Sequence, residues 1–278
     1  MKVPFLKMHG AANDFVVIDQ REPSLPEPWD DRVRRLCDRR RGVGADGVLL
    51  IERDREFDFG MRYFNSDGHP AAFCGNGARC VARWALDAGL GSEGTVRFRT
   101  AIGAKQARRS PDGRRIELEF GAIPAVSEAI RVEAGERAFD GFAVVAGVPH
   151  FVVPVERVEW VPVLEWGAAL RHHPRFEPAG TNVDFVARLG PGRLAMRTYE
   201  RGVESETLAC GSGALAVAAW SVFEGGPTPV SVMTAGGDEL VVRLEPARSG
   251  WQATLIGPAE VSYRGEWVEE VSAPAGAR

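Results

Sequence analysis

The chain has 278 residues, 45% apolar and 26% charged, with a formal net charge of −4, the make-up of a globular protein long enough for two domains. Its basic runs, Arg39-Arg40-Arg41 and Arg108-Arg109, are short and stand among acids, so no nucleic-acid partner is expected. No stretch nears the ~20 apolar residues that span a bilayer, no CxxC or histidine spacing suits zinc, and Met1-Lys2-Val3-Pro4-Phe5 lacks a signal peptide's apolar run; the expectation is a cytoplasmic protein with no metal and no membrane contact.

Along the chain, 14–19 reads as a strand, and 30–41 has helical spacing with an Asp at its start and Gly42 to close it. Strands follow at 47–52 and 57–64. From Gly75 to Leu86, Ala78, Val81, Ala82, Ala85 and Leu86 make one apolar helical face, with Arg79, Arg83 and Asp87 on a polar stripe and Gly89 to stop the helix. Further strands are expected at 95–100, 115–120, 151–155, 183–187 and 193–200. Ala214–Trp220 is apolar all round, so this helix must be buried. Strands at 230–234, 239–244 and 251–255 complete the pattern. Gly42-Val43-Gly44-Ala45-Asp46-Gly47 satisfies GxGxxG, but a charged helix precedes it and the apolar strand Val48-Leu49-Leu50-Ile51 follows. A dinucleotide site needs the reverse order.

The sequence repeats itself. Cys74 opens Cys-Gly-Asn-Gly-Ala and Cys210 opens Cys-Gly-Ser-Gly-Ala, an offset of 136. At that offset Tyr63 meets Tyr199, Val81 meets Val217, Ala82 meets Ala218, Trp84 meets Trp220, Gly89 meets Gly225, and Phe15-Val16-Val17 meets Phe151-Val152-Val153. Thr100-Ala101 answers Thr234-Ala235 with a two-residue slip. The implied fold is α+β: two pseudo-symmetric halves, each a curved, mostly antiparallel sheet wrapped around a central helix, with an active site in the cleft between them. Gly121-Ala122-Ile123-Pro124 is the expected boundary, giving halves 1–121 and 122–264.

Each Cys-Gly-x-Gly turn leads straight into a helix. Free N–H groups and the helix dipole there favour a thiolate, which can lower a thiol pKa from about 8.5 to roughly 3.5–7.5, and the glycines let backbone N–H groups approach a carboxylate. Two such turns can hold one carboxylate and set a thiol or thiolate on each face of the adjacent carbon. One sulfur removes an α-proton and the other returns one, which inverts the stereocentre. No lysine motif announces pyridoxal phosphate and no cofactor is expected, so fixed donors must stabilise the enediolate-like carboxylate. His150 and Glu200 are the candidates for setting the protonation state of the pair. Cys37 and Cys80 read as packing residues on helices.

These residues resemble the diaminopimelate epimerase family. The resemblance runs through Lys7-Met8-His9-Gly10, Asn13-Asp14-Phe15, Phe64-Asn65-Ser66-Asp67-Gly68, Cys74-Gly75-Asn76-Gly77-Ala78-Arg79, Gly180-Thr181-Asn182, Tyr199-Glu200-Arg201-Gly202 and Ala209-Cys210-Gly211-Ser212-Gly213. It implies a pyridoxal-independent enzyme that interconverts LL- and meso-diaminopimelate on the way to lysine and cell-wall peptide. Cys74 and Cys210 would be the acid/base pair, tuned by His150 and Glu200. Gly75-Asn76 and Gly211-Ser212 would hold the reacting carboxylate, while Asn13, Asn65, Asn182 and Arg201 would read the distal end of the diamino-dicarboxylic acid. A homodimer is implied, as is a last strand, 265–278, that returns to the first half. Val148 stands where some relatives place a substrate-contacting Asn, Gly47 where some place Gln, and Ala12 replaces a common Gly; the lost amides would loosen distal recognition without touching the inversion machinery. The alternatives are a racemase of proline or another diamino acid on the same fold, and a non-catalytic carboxylate-binding protein. The binder would not need thiols at both turns, where Ser would serve.

Overall fold

A computed structural model describes residues 2–22, 25–135 and 137–269. The described residues separate into two compact units: those within 2–10, 14–106 and 259–269 form one, and those within 11–13 and 107–258 form the other. The boundary expected at 121/122 lies inside a strand of the second unit.

The first unit opens with β1 (Lys2–Gly10) and β2 (Asn13–Asp19), then α1 (Asp30–Cys37), β3 (Gly47–Glu52), β4 (Phe59–Asn65), β5 (Pro70–Ala71), α2 (Gly75–Asp87), β6 (Thr95–Thr100) and β7 (Gly103–Arg109). β3 runs parallel to β2 and antiparallel to β4. Successive side chains on these strands alternate between faces. Val16, Ile18, Val48, Leu50 and Phe64 pack with Val33, Leu36 and Cys37 of α1 in one buried cluster. On the opposite face, Leu49 and Phe15 press on α2: a Cβ at Gly77 would stand 3.0 Å from Leu49 Cδ2 and 3.5 Å from Phe15 Cζ. α1 stops at Cys37 instead of running on to position 41, because the Asp38 carboxylate takes the backbone N–H groups of Arg40 and Arg41, a side-chain competitor for the helical ladder.

The second unit has the same layers. It comprises β8 (Ile116–Ile123), β9 (Ile130–Ala134), β10 (Arg137–Ala146), β11 (Val148–Pro154), α3 (Val163–Arg171), β12 (Asn182–Gly190), β13 (Arg193–Glu200), β14 (Ser205–Thr207), α4 (Gly211–Phe223), β15 (Val230–Met233), β16 (Glu239–Pro246) and β17 (Trp251–Gly257). β12 is parallel to β11 and antiparallel to β13, as β3 is to its neighbours. Phe151, Val153, Val183, Phe185 and Tyr199 pack on Val163 and Leu170 of α3. The other face meets α4, which is buried from Ala214 to Ser221 on every side, as its uniformly apolar sequence requires. α4 touches seven strands of this unit. This is the curved sheet around a central helix.

β18 (Glu260–Val268) then pairs antiparallel with β1, from Lys2 opposite Val268 to His9 opposite Glu260, so the chain's last described strand belongs to the first unit. The rest of the expected returning segment, 270–278, lies outside the described residues. No helix among the described residues is long and apolar enough to cross a membrane.

Register corrects one feature of the repeat. In the strands Leu49 sits opposite Tyr63 and Asp184 opposite Thr198, an offset of 135, whereas α2 and α4 coincide at 136. The connection from the last strand residue to the cysteine is one residue longer in the second unit, from Glu200 to Cys210 against Asn65 to Cys74. The matches of Tyr63 with Tyr199 and of Phe15-Val16-Val17 with Phe151-Val152-Val153 are therefore not structural ones, and Phe15 corresponds to His150. Tyr199 packs on α3, where Gly167 leaves room for it, and its counterpart is Phe64, which packs with α1. A one-residue shift moves a side chain to the other face of a sheet.

Candidate active site

The first turn makes Cys74 the N-cap of α2, in extended backbone with φ −138°. The thiol is half-buried. Behind it Asn76 and Arg79 are buried, and Arg79 Nη2 donates to Asn76 Oδ1 at 3.0 Å. Arg79 thus leaves the polar stripe expected of it: its guanidinium is held by the first turn of its own helix. The end of β1 lies against the same turn, since a Cβ at Gly10 would stand 2.8 Å from the Asn76 carbonyl oxygen.

The second turn makes Cys210 the N-cap of α4. Here the sulfur is buried, accepts the Gly213 N–H at 3.4 Å and lies 3.4 Å from Ser212 Oγ. Burial pushes the Cys210 thiol well above its ordinary range, and the negative charges of Glu200 and Asp184 push the same way. Ser212 and the Gly213 N–H pull it down, but desolvation and two carboxylates outweigh them. At this turn the expected preference for thiolate is reversed. Burial raises the Cys37 and Cys80 thiols to about 12. All four cysteines are free thiols.

Around the second turn, Glu200 ends β13 and accepts from Thr207 Oγ1 at 2.9 Å. His150 lies on β11, with both its side chain and that of Asp184 entirely buried and Nδ1 2.6 Å from Asp184 Oδ2. Arg201 donates to the Ala179 carbonyl at 3.2 Å, and no carboxylate among the described residues pairs with it.

The sequence profile of diaminopimelate epimerase matches residues 5–125 and 142–260. The diaminopimelate epimerase of Aquifex aeolicus is 41% identical over 278 aligned residues, which cover 96% of this chain and 98% of that one. The chain belongs to the diaminopimelate epimerase family. It is an isomerase. Solved structures extend the fold further: a hydroxyproline epimerase from Agrobacterium vitis superposes with a TM-score of 0.71 at 19% identity, covering 95% of this chain and 92% of that one. A PhzF-family phenazine biosynthesis protein from Bacillus anthracis does so with 0.73 at 13%, covering 97% and 100%. At such identities the likeness concerns fold alone, and chemistry has to be argued from the site.

For a diaminopimelate epimerase family member, the remaining sequence-selected residues fall as follows. Asn13 opens β2 and Asn65 closes β4, where Asn65 sits directly opposite Gly47. Gly47 has no room for a side chain, since a Cβ would stand 2.5 Å from the Phe64 carbonyl oxygen and 2.7 Å from Tyr63 Cε2. Tyr63 accounts for the missing amide there. Ala12, in the place of a common Gly, holds a left-handed backbone at φ 64°. Gly75 and Asn76 lie in the first turn of α2, Gly211 and Ser212 in that of α4. Asn182 is buried, and its Oδ1 accepts the Arg201 N–H at 2.7 Å. Sequence reading missed Asp184 and its partner Thr198. The available signal was a carboxylate inside the apolar run Val183-Asp184-Phe185-Val186, since an acid in a buried strand needs a partner. No group of three or more His, Cys, Asp or Glu among the described residues could hold a metal ion.

Proposed function

We propose that this chain interconverts LL- and meso-diaminopimelate by two-base proton transfer at the α-carbon, with Cys74 and Cys210 as the acid/base pair. One observation carries the reading: each unit sets a cysteine as N-cap of a 13-residue helix, at corresponding places in duplicated layers. The α-proton passes to the thiolate, which becomes a thiol. The other thiol delivers its proton to the opposite face of the carbon and becomes the thiolate. Between the two transfers the negative charge rests on the α-carboxylate, stabilised by N–H groups of the turns at Gly75-Asn76 and Gly211-Ser212. His150 and Glu200 tune the thiols, and Asn13, Asn65, Asn182 and Arg201 read the distal amino-acid end, where Arg201 can grip a carboxylate bidentately. By the family resemblance the enzyme works without pyridoxal phosphate, as a homodimer in the cytoplasm, supplying lysine and cell-wall peptide.

The test is incubation in D2O with LL-diaminopimelate, ornithine, lysine and proline as parallel substrates. Expected is meso-diaminopimelate carrying deuterium at the inverted carbon, with the other three at least 100-fold slower, since a site built around buried polar donors rejects analogues that leave them unpaired by about 10⁴. Faster inversion of proline or ornithine would move the reading to another racemase. Absence of exchange with every substrate would make the chain a binder.

A further inference from the structure

The inner face of each sheet carries equivalent positions, which the two units fill with opposite chemistry. In the first unit Phe15, Leu49 and Tyr63 lie beneath α2; in the second His150, Asp184 and Thr198 lie beneath α4. Where Leu49 touches the position of a Cβ at Gly77, Asp184 Oδ1 stands 2.5 Å from that of a Cβ at Gly213. Gly213 is three residues past Cys210, so the carboxylate is pressed against the first turn of the cysteine's helix.

The second unit's polar groups form one directed chain. The Arg201 N–H donates to Asn182 Oδ1, so the Asn182 amide nitrogen is the end facing His150 Nε2, 3.3 Å away. That nitrogen can only donate, which makes Nε2 the acceptor and places the imidazole proton on Nδ1. Nδ1–H then donates to Asp184 Oδ2 at 2.6 Å, and Thr198 Oγ1 donates to Asp184 Oδ1 at 2.7 Å. A buried carboxylate is costly beside a leucine of similar reach, and the first unit shows that leucine fits this layer.

We propose that Asp184 is a positioning residue for the epimerisation, holding His150 in its Nδ1–H tautomer beside the Cys210 turn. The inference rests on the function proposed above. It gives the second unit an oriented imidazole, with Nε2 the acceptor, at the position that Phe15 fills in the first. The Asp184 charge also adds to the burial and the Glu200 charge that keep Cys210 protonated.

The decisive measurement is the tautomer of His150 by long-range ¹H–¹⁵N NMR on the full chain without substrate. Wild-type protein should show the proton on Nδ1. In Asp184→Asn, Thr198 continues to donate to the side-chain oxygen and the amide NH2 turns to Nδ1; because the Asn182 amide nitrogen still faces Nε2 as a donor, neither tautomer keeps an acceptor for its proton, and the single Nδ1–H signature should give way to a mixture containing Nε2–H. Turnover should then fall about 100-fold or more in kcat with KM within about threefold, the pattern of a wrongly protonated base. Thr198→Val, which leaves the carboxylate in place, should keep the Nδ1–H tautomer. An Nε2–H tautomer in the wild type overturns the proposal even if the variants fail to fold. So does Asp184→Leu, the first unit's own solution, turning over at the wild-type rate. Failure of the wild type to epimerise diaminopimelate would sink the function instead and leave the tautomer result standing.

Discussion

A sulfur at a helix N-terminus feels two opposed effects, a dipole that favours the anion and a burial that forbids it. At Cys210 burial prevails, helped by Glu200 and Asp184; Cys74 is half-exposed. We expect iodoacetamide at pH 8 to label Cys74 at least tenfold faster than Cys210, with Cys37 and Cys80, held at about 12, unlabelled in the folded protein. Peptide mass spectrometry over a time course reads the order, and earlier labelling of Cys210 would contradict the electrostatics described here. The two thiols were legible in the sequence because Cys-Gly-x-Gly before a helix is a local signal. The sign of the shift at Cys210 was not, because it depends on a carboxylate from β12 and another from β13 that approach only through the fold. Asp184 stayed hidden for the same reason: nothing local tells a hydrogen-bonded carboxylate in a strand from a solvated one.

Elements were recovered where their periodicity is their own. β3, β6 and β13 occupy the expected residues, and α2 and α4 begin where the glycines place them. α3 and the strands β1, β5, β7, β9, β10 and β14 were missed, and β18 was expected only from the family resemblance, at 265–278 instead of 260–268. α3 has Pro162 at its N-cap with no side-chain hydrogen bond, so it lacks a start signal, and only its correspondence to α1 across the repeat points to it. β18 is exposed at most of its positions and shows no buried alternation; it is a strand because β1 is there to pair with it. That dependence is testable at Gly265, which lies opposite Phe5. A Cβ at 265 would stand 2.7 Å from Phe5 Cζ, and Phe5 belongs to the buried cluster shared with α1. Gly265→Ala should cost about 1–3 kcal/mol, the usual penalty for overpacking a core, measured as a lower denaturant midpoint with unchanged slope. An unaltered midpoint would mean that β18 only rests on the first unit.

Two units of one architecture need not do equal work. Their outer layers agree, Val48 and Phe64 over α1 corresponding to Val183 and Tyr199 over α3, while their inner layers diverge into an aromatic and aliphatic set in one and a hydrogen-bonded network in the other. On the proposed mechanism duplication supplies the two acid/base groups, and divergence sets them in different surroundings, Cys210 buried beside the charges of Asp184 and Glu200 and Cys74 half-buried, which suits a reaction needing one proton acceptor and one donor at the same moment. If each sulfur attends one face of the α-carbon, removing one leaves half a reaction. Cys74→Ala should lose epimerisation by at least about 10⁴-fold, yet still exchange the α-proton of one stereoisomer with D2O, returning deuterium to the face it came from. Cys210→Ala should do the same with the other stereoisomer only. Exchange through Cys210 requires its thiolate, so in Cys74→Ala the exchange rate should climb as pH rises past the ordinary thiol value of 9.0, because burial and the carboxylates of Glu200 and Asp184 favour the protonated form below it. Mass spectrometry of recovered LL- and meso-substrate, each incubated separately with each variant, gives a two-by-two pattern. Both variants exchanging the same isomer, or either one still inverting at a tenth of the wild-type rate, would show that the two cysteines do not divide the faces between them.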